Sequence, residues 1–169
     1  MELETGSVGL VYLTADNLAV LPENSSVAVD AVASAMGYDL NHVFNLTSSA
    51  DEDFKLPFPV PCSVRDLLSL YVDLQGELKY ATAKQLRSKL AGDADLTHRE
   101  LFEQLVSDDR RPQFKAAVQR SHLSLGGLLT LQPPLFERLS LEELLQVAQL
   151  IQPRYYTIRY LLLFLIYTS

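Results

Sequence analysis

One cysteine cannot close an intramolecular disulfide or build a multi-cysteine metal site, and Cys62 is the only cysteine in the chain. It lies between Pro61 and Ser63 with no histidine nearby, which gives little support to a nucleophilic role. A single reduced thiol fits a reducing compartment. Positive charge is scarce as well: 14 Lys and Arg stand against 21 Asp and Glu, for a net charge of −7. Phosphate neutralisation needs clustered Lys and Arg, so nucleic acid is excluded as a partner. The acidity suits either solubility or a basic partner, and solubility is the simpler reading. Long hydrophobic runs are missing. The C-terminal run Tyr160 to Tyr167, YLLLFLIY, falls far short of the about 20 helical residues needed to cross about 30 Å of hydrocarbon. It reads as a buried strand or helix end rather than a membrane anchor. Met1 to Thr5 has neither the basic start nor the apolar stretch of a signal peptide.

Several chemical signatures are missing too. There is no G-x-G-x-x-G, no Walker loop and no G-x-S-x-G. The paired glycines, Gly126-Gly127, fall between predicted helices. His42, His98 and His122 have no i, i+4 spacing for a metal pair. The runs Asp51-Glu52-Asp53 and Asp108-Asp109 read as solvated loops. His122 reads as a hydrogen-bonded structural histidine rather than one facing a ligand.

What is present is a chain of 169 residues with 48% apolar composition, enough for a sizeable core in one domain or one with an appendage. Gly9 to Leu21 clusters apolar residues around a polar break at Thr14-Ala15-Asp16-Asn17, as two short strands or one bent strand, and Pro22-Glu23-Asn24-Ser25 ends it. Ser25 or Ser26 can cap a helix through Val27, Val29, Val32, Ala33 and Met36, closed by Gly37. Asp39 to Phe44 is a short turn or strand. A polar loop, Thr47 to Asp53, leads to Leu56-Pro57-Phe58-Pro59-Val60-Pro61, whose alternate prolines require an extended connector. Helices follow: one capped by Ser63 with Val64, Leu67, Leu68 and Tyr71; one over Leu78 to Leu90 with Ala81, Leu86 and Leu90 inward; one opened by a Thr97/Glu100 capping box before Leu101, Phe102 and Leu105; one over Phe114 to His122; and one over Leu141 to Leu150, opened by Ser140/Glu143 and stopped by Pro153. Arg154 to Tyr160 is rich in aromatic and β-branched residues and reads as a strand. Strand, helical block, strand is the order of an α+β fold.

The chemistry concentrates in Arg154-Tyr155-Tyr156-Thr157. A guanidinium is a planar fork of donors suited to a diphosphate. Two residues along a strand, Tyr156 shares the face of Arg154 and can stack on a flat ring. Thr157 adds a hydroxyl and a backbone N–H. An ordinary strand with a surface arginine and snorkelling aromatics fits the same spacing.

The segment R-Y-Y-T-I, reached through Gln149-Leu150-Ile151-Gln152-Pro153, resembles the flavin motif of the ferredoxin–NADP reductase superfamily. More narrowly it resembles the NADPH-dependent diflavin reductases: cytochrome reductase, sulfite reductase flavoprotein and nitric oxide synthase reductase domains. Thr14 to Asn24, TADNLAVLPEN, is similar to a barrel strand those proteins write Y-x-x-G-D-x-x-x-V-x-P-x-N. Leu56 to Leu68, LPFPVPCSVRDLL, is similar to the F-P-x-P-x-x-x-R that opens their connecting helices. The segments keep the family's order over residues 1 to about 159.

This resemblance implies a helical connecting subdomain, 25–153, inserted into a partial antiparallel β-barrel of ferredoxin reductase type made by 1–24 and 154–169. It implies that Arg154 contacts the pyrophosphate of FAD, that Tyr156 stacks on the isoalloxazine, and that Thr157 hydrogen-bonds near its N5 edge. Tyr155 is implied as an adenine-side or ribose contact. The cofactor would take hydride from NADPH and pass electrons to FMN or a heme acceptor, with the protein supplying position and electrostatics. The chain departs from the pattern after Thr157, where an apolar tail replaces a serine-rich stretch and a glycine-rich turn. NADPH and FMN domains are not in it, and it contains no Trp. The expectation is therefore a fragment that cannot take hydride from NADPH alone. Its partners would be FAD, a missing FMN domain or a cytochrome, with self-association through open strand edges. It would reside in the cytoplasm or, through missing parts, on the cytosolic face of the endoplasmic reticulum. The alternative is a helical interaction module without flavin.

Overall fold

The computed structural model describes residues 15–46, 57–92, 96–137 and 139–157. The expectations for Gly9 to Thr14, the loop Thr47 to Asp53 and the tail from Ile158 onward lie outside them. Contacts divide the chain into one unit of residues 1–22 with 152–169 and another of 23–151.

In the first unit, β1 (Asn17–Val20) pairs antiparallel with β4 (Arg154–Thr157). Pro153 removes an N–H and disfavours helix at Gln152, so the β-prone Tyr155, Tyr156 and Thr157 begin a strand at once.

The second unit is helical. Ser25 accepts a hydrogen bond from the Ala28 N–H and opens α1 (Ser26–Met36), which Gly37 ends at φ 70. Only a residue without Cβ takes that left-handed turn cheaply, so the cap and stop expected there are both found. Asp39 Oδ1 accepts from the Asn41 N–H and turns the chain into β2 (Val43–Phe44), which pairs with β3 (Cys62–Ser63). Ser63 caps α2 (Val64–Asp66). The expected α-helical run then widens: Leu67–Tyr71 is a π-helix, and the Val72 N–H reaches five residues back to the Leu67 carbonyl at 3.0 Å. The spacing of Val64, Leu67, Leu68 and Tyr71 is compatible with either helix, so periodicity alone cannot separate them.

Asn24 explains where the carbonyls of this wide turn go. Its Nδ2 donates to the Leu68 and Val72 carbonyls, both at 2.6 Å, and its backbone N–H donates to Ser69 at 2.9 Å. The Ile151 N–H takes the Tyr71 carbonyl at 2.8 Å. A π-helix leaves carbonyls off the regular ladder, and buried carbonyls must find donors elsewhere.

α3 (Tyr80–Leu86) tightens into a 3₁₀ turn, Arg87–Lys89. Its inward residues are Thr82, Ala83 and Leu86; the expected Ala81 is exposed and Leu90 only half-buried, because the helix starts at Tyr80 with its inner stripe one position over. α4 (Leu96–Leu105) buries Phe102 but exposes Leu101, and Thr97 is its second residue. α5 (Arg111–Ser121) starts earlier than expected, with Pro112 in its first turn, where a missing N–H is harmless. His122 ends it in the left-handed conformation, φ 49, with its side chain exposed, so it caps the helix rather than sitting on its face.

Gly126 and Gly127 do not separate helices but lie within α6 (Leu125–Leu131), capped by Ser124. A Cβ on Gly126 would sit 2.9 Å from the Leu74 carbonyl, so the glycine is there for close packing rather than for a turn. α7 (Pro133–Phe136) was not foreseen. α8 (Leu141–Val147) carries the expected capping box, both halves present between Ser140 and Glu143, and stops at Val147 rather than Leu150.

The core of this unit joins Val29, Val32, Leu67, Leu68, Leu86 and Phe136, among others. Phe136 is fully buried and meets Phe102 edge to face at 5.7 Å. Each such side chain contributes roughly 1.5–3 kcal/mol by leaving water. The described elements make an α+β fold with two two-stranded antiparallel ladders. No described helix is long and apolar enough to cross a membrane.

Candidate functional site

The register of β1 and β4 decides what the strand presents. Asn17 lies opposite Thr157, Leu18 opposite Tyr156, Ala19 opposite Tyr155 and Val20 opposite Arg154. Side chains alternate along a strand and directly paired residues share a face. Arg154 and Tyr156 therefore stand together with Leu18 and Val20, and Tyr155 and Thr157 stand on the other face with Asn17 and Ala19. Leu18 and Val20 are half-buried while every residue of β4 is exposed. Tyr155 is 71% exposed and Tyr156 42%. The four candidate residues thus occupy one strand, but on two faces.

On the first face a guanidinium and a phenol ring stand two residues apart over an aliphatic pair. Such a face can hold an anion at one end and a flat apolar ring at the other. On the second face, Thr157 Oγ1 donates to Asn17 Oδ1 at 3.1 Å. The sequence offered no signal for that bond, because Asn17 stood in an apparent polar break 140 residues from its partner.

Other candidate groups do structural work. Cys62 is buried, and burial, then the charge of Asp66, raises its thiol pKa, so it stays protonated. Asp108 accepts from Lys84 Nζ at 2.7 Å and from Tyr80 Oη at 3.0 Å, which ties α3 to the 3₁₀ turn Asp108–Arg110 before α5 and holds the carboxyl below its ordinary range. Tyr38 donates to the Leu139 carbonyl at 2.9 Å; burial, then Glu143 and Glu142, push its phenol well above the usual value. Among the described residues no group of three His, Cys, Asp or Glu could hold a metal ion.

Residues 1–159 match the family described as FAD binding domain. The bifunctional cytochrome P450/NADPH–P450 reductase 2 of Bacillus subtilis is 35% identical over 158 residues, which cover 94% of this chain and 14% of that protein. The NADPH–cytochrome P450 reductases of Oryctolagus cuniculus and Homo sapiens are each 26% identical, over 94% of this chain and 23% of theirs. The chain therefore spans less than a quarter of the length of these relatives. FAD joins a planar three-ring system to a diphosphate, and the exposed pairing of Arg154 with Tyr156 fits both parts. A helical module unrelated to flavin is not favoured by this match. The chain belongs to the FAD binding domain family that the diflavin reductases share, and its cofactor is FAD.

Proposed function

We propose that this chain is the FAD-holding part of a reductase that relays electrons from NADPH through FAD to FMN or a heme acceptor. The observation that carries the reading is the shared face of Arg154 and Tyr156 on β4. Arg154 binds the pyrophosphate through its donor fork, and Tyr156 lies against the isoalloxazine. Thr157, whose side chain stands on the other face, reaches the ring edge through its backbone, and Tyr155, on that other face, takes the adenine or ribose side. When bound, FAD accepts two electrons as hydride and releases them singly, which links a nicotinamide to one-electron acceptors. The protein's share is to hold the ring flat, neutralise the diphosphate and keep water from one ring face.

In this reading β1 and β4 belong to an antiparallel barrel of ferredoxin reductase type. Residues 25–153 form its connecting subdomain, between 1–24 and 154–169. NADPH, the FMN domain and a cytochrome act through the rest of the reductase, and association of the chain with itself would be seen as a concentration-dependent rise in its mass in solution.

The test is retention of flavin absorbance after incubation with FAD and desalting. Wild type retains it, and Arg154→Ala and Tyr156→Ala lose it. Equal retention by all three refutes the assignment.

A further inference from the structure

We propose that Asn17 is a positioning residue of the FAD site and acts through Thr157; this rests on the reading that Arg154 and Tyr156 hold the cofactor. Strand pairing sets Asn17 directly opposite Thr157, and the Thr157 hydroxyl donates to Asn17 Oδ1 at 3.1 Å. By alternation the bond lies on the face of Tyr155 and Ala19, away from Arg154 and Tyr156. The hydroxyl proton is thus committed to Asn17, and toward a ligand on the Arg154 face Thr157 presents its backbone.

The bond matters because of register. A slip of one residue would carry Arg154 and Tyr156 to the opposite face. Burial normally prevents such slips, yet all four residues of β4 are exposed, so burial specifies its register weakly. A side-chain pair that closes only when residue 17 meets residue 157 supplies the missing discrimination. It also fixes which face of the strand presents the guanidinium and the ring.

The experiment uses the full chain and two readouts. One is the FAD dissociation constant of wild type, Asn17→Ala, Thr157→Val, the double variant and the exchanged pair Asn17→Thr/Thr157→Asn. The other is amide hydrogen exchange of β1 and β4 without FAD. A cross-strand side-chain bond is small, so each single variant should bind FAD about three- to tenfold more weakly. The double variant should be no weaker than either single, the exchanged pair should recover, and both single variants should exchange faster in β1 and β4. Weak binding by Thr157→Val with Asn17→Ala unchanged would overturn the proposal, since the hydroxyl would then touch the cofactor itself. Unchanged exchange alongside intact FAD binding overturns the role of Asn17 alone. A wild-type chain that retains no FAD overturns the site reading and, with it, Asn17's place there; the exchange comparison then still decides whether the bond sets the register.

Discussion

Replacing Asn24 with alanine removes one buried carboxamide and orphans two carbonyls. Asn24 is 8% exposed, and Leu68 and Val72, whose carbonyls its Nδ2 serves at 2.6 Å, are 0% exposed. The backbone bond to Ser69 survives in alanine, so the loss is the side chain's. A buried acceptor left without a donor costs about 1–3 kcal/mol, and partial access of water to the widened turn brings the pair to about 2–4 kcal/mol. That is a large share of the about 5–15 kcal/mol that holds a typical domain together. With a urea slope of about 1–3 kcal/mol/M, the unfolding midpoint of Asn24→Ala should fall by about 1–2 M. Asn24→Asp should be worse at pH 7, because a carboxylate offers acceptors to two carbonyls and no donor. Its folded pKa is raised for that reason, so the variant recovers below about pH 4, where the neutral acid supplies one O–H, and loses stability as pH rises through the folded pKa. An Asn24→Ala midpoint within about 0.3 M of wild type, or an aspartate as stable as asparagine at pH 7, would refute this account of the π-helix.

The two adjacent glycines of α6 should behave oppositely. Gly126→Ala places a Cβ 2.9 Å from the Leu74 carbonyl and 3.3 Å from Leu74 Cβ, and should destabilise by about 1–3 kcal/mol despite the better helix propensity of alanine, as read from thermal unfolding. Gly127→Ala meets Ser124 Oγ at 3.2 Å and Leu123 at 3.7 Å, contacts that a small side-chain shift relieves, and should lie within about 1 kcal/mol of wild type. Glu143 is held below its ordinary pKa by the backbone N–H of Ser140 and then by Lys89. Its contribution is present above the unfolded value near 4.5 and lost as pH falls through the lower folded value, so Glu143→Gln should flatten the decline in thermal midpoint between pH 5 and pH 3. Ser140→Ala removes the other half of the capping box and should cost about 1 kcal/mol at pH 7 by the same measurement.

Caps were readable because they are local. Ser25 with Gly37, and Ser140 with Glu143, satisfy helix ends within a few residues, and the sequence marks them directly. What escaped depends on distant partners. The π-helix at Leu67–Tyr71 is served by Asn24, over 40 residues away, and shares its apolar spacing with an ordinary helix. Gly126-Gly127 resembled a break because the close approach of Leu74 that calls for Gly126 is tertiary. Ala81 and Ala83 are alike in sequence, and only the packed face shows which is inward. In the candidate site, the pairing of Arg154 with Tyr156 on one face followed from strand alternation. Asn17 did not, since a register is a property of two strands and only one carried the motif.

The central claim, that the face of Arg154 and Tyr156 holds FAD, is tested most directly by titrating FAD with the chain and following flavin fluorescence. Stacking against Tyr156 should quench the emission saturably. Tyr156→Leu should bind more weakly and quench less, and Arg154→Ala should weaken binding while leaving the quench of the bound fraction intact. Saturable quenching that is identical in wild type, Tyr156→Leu and Arg154→Ala would place the flavin elsewhere and contradict the account.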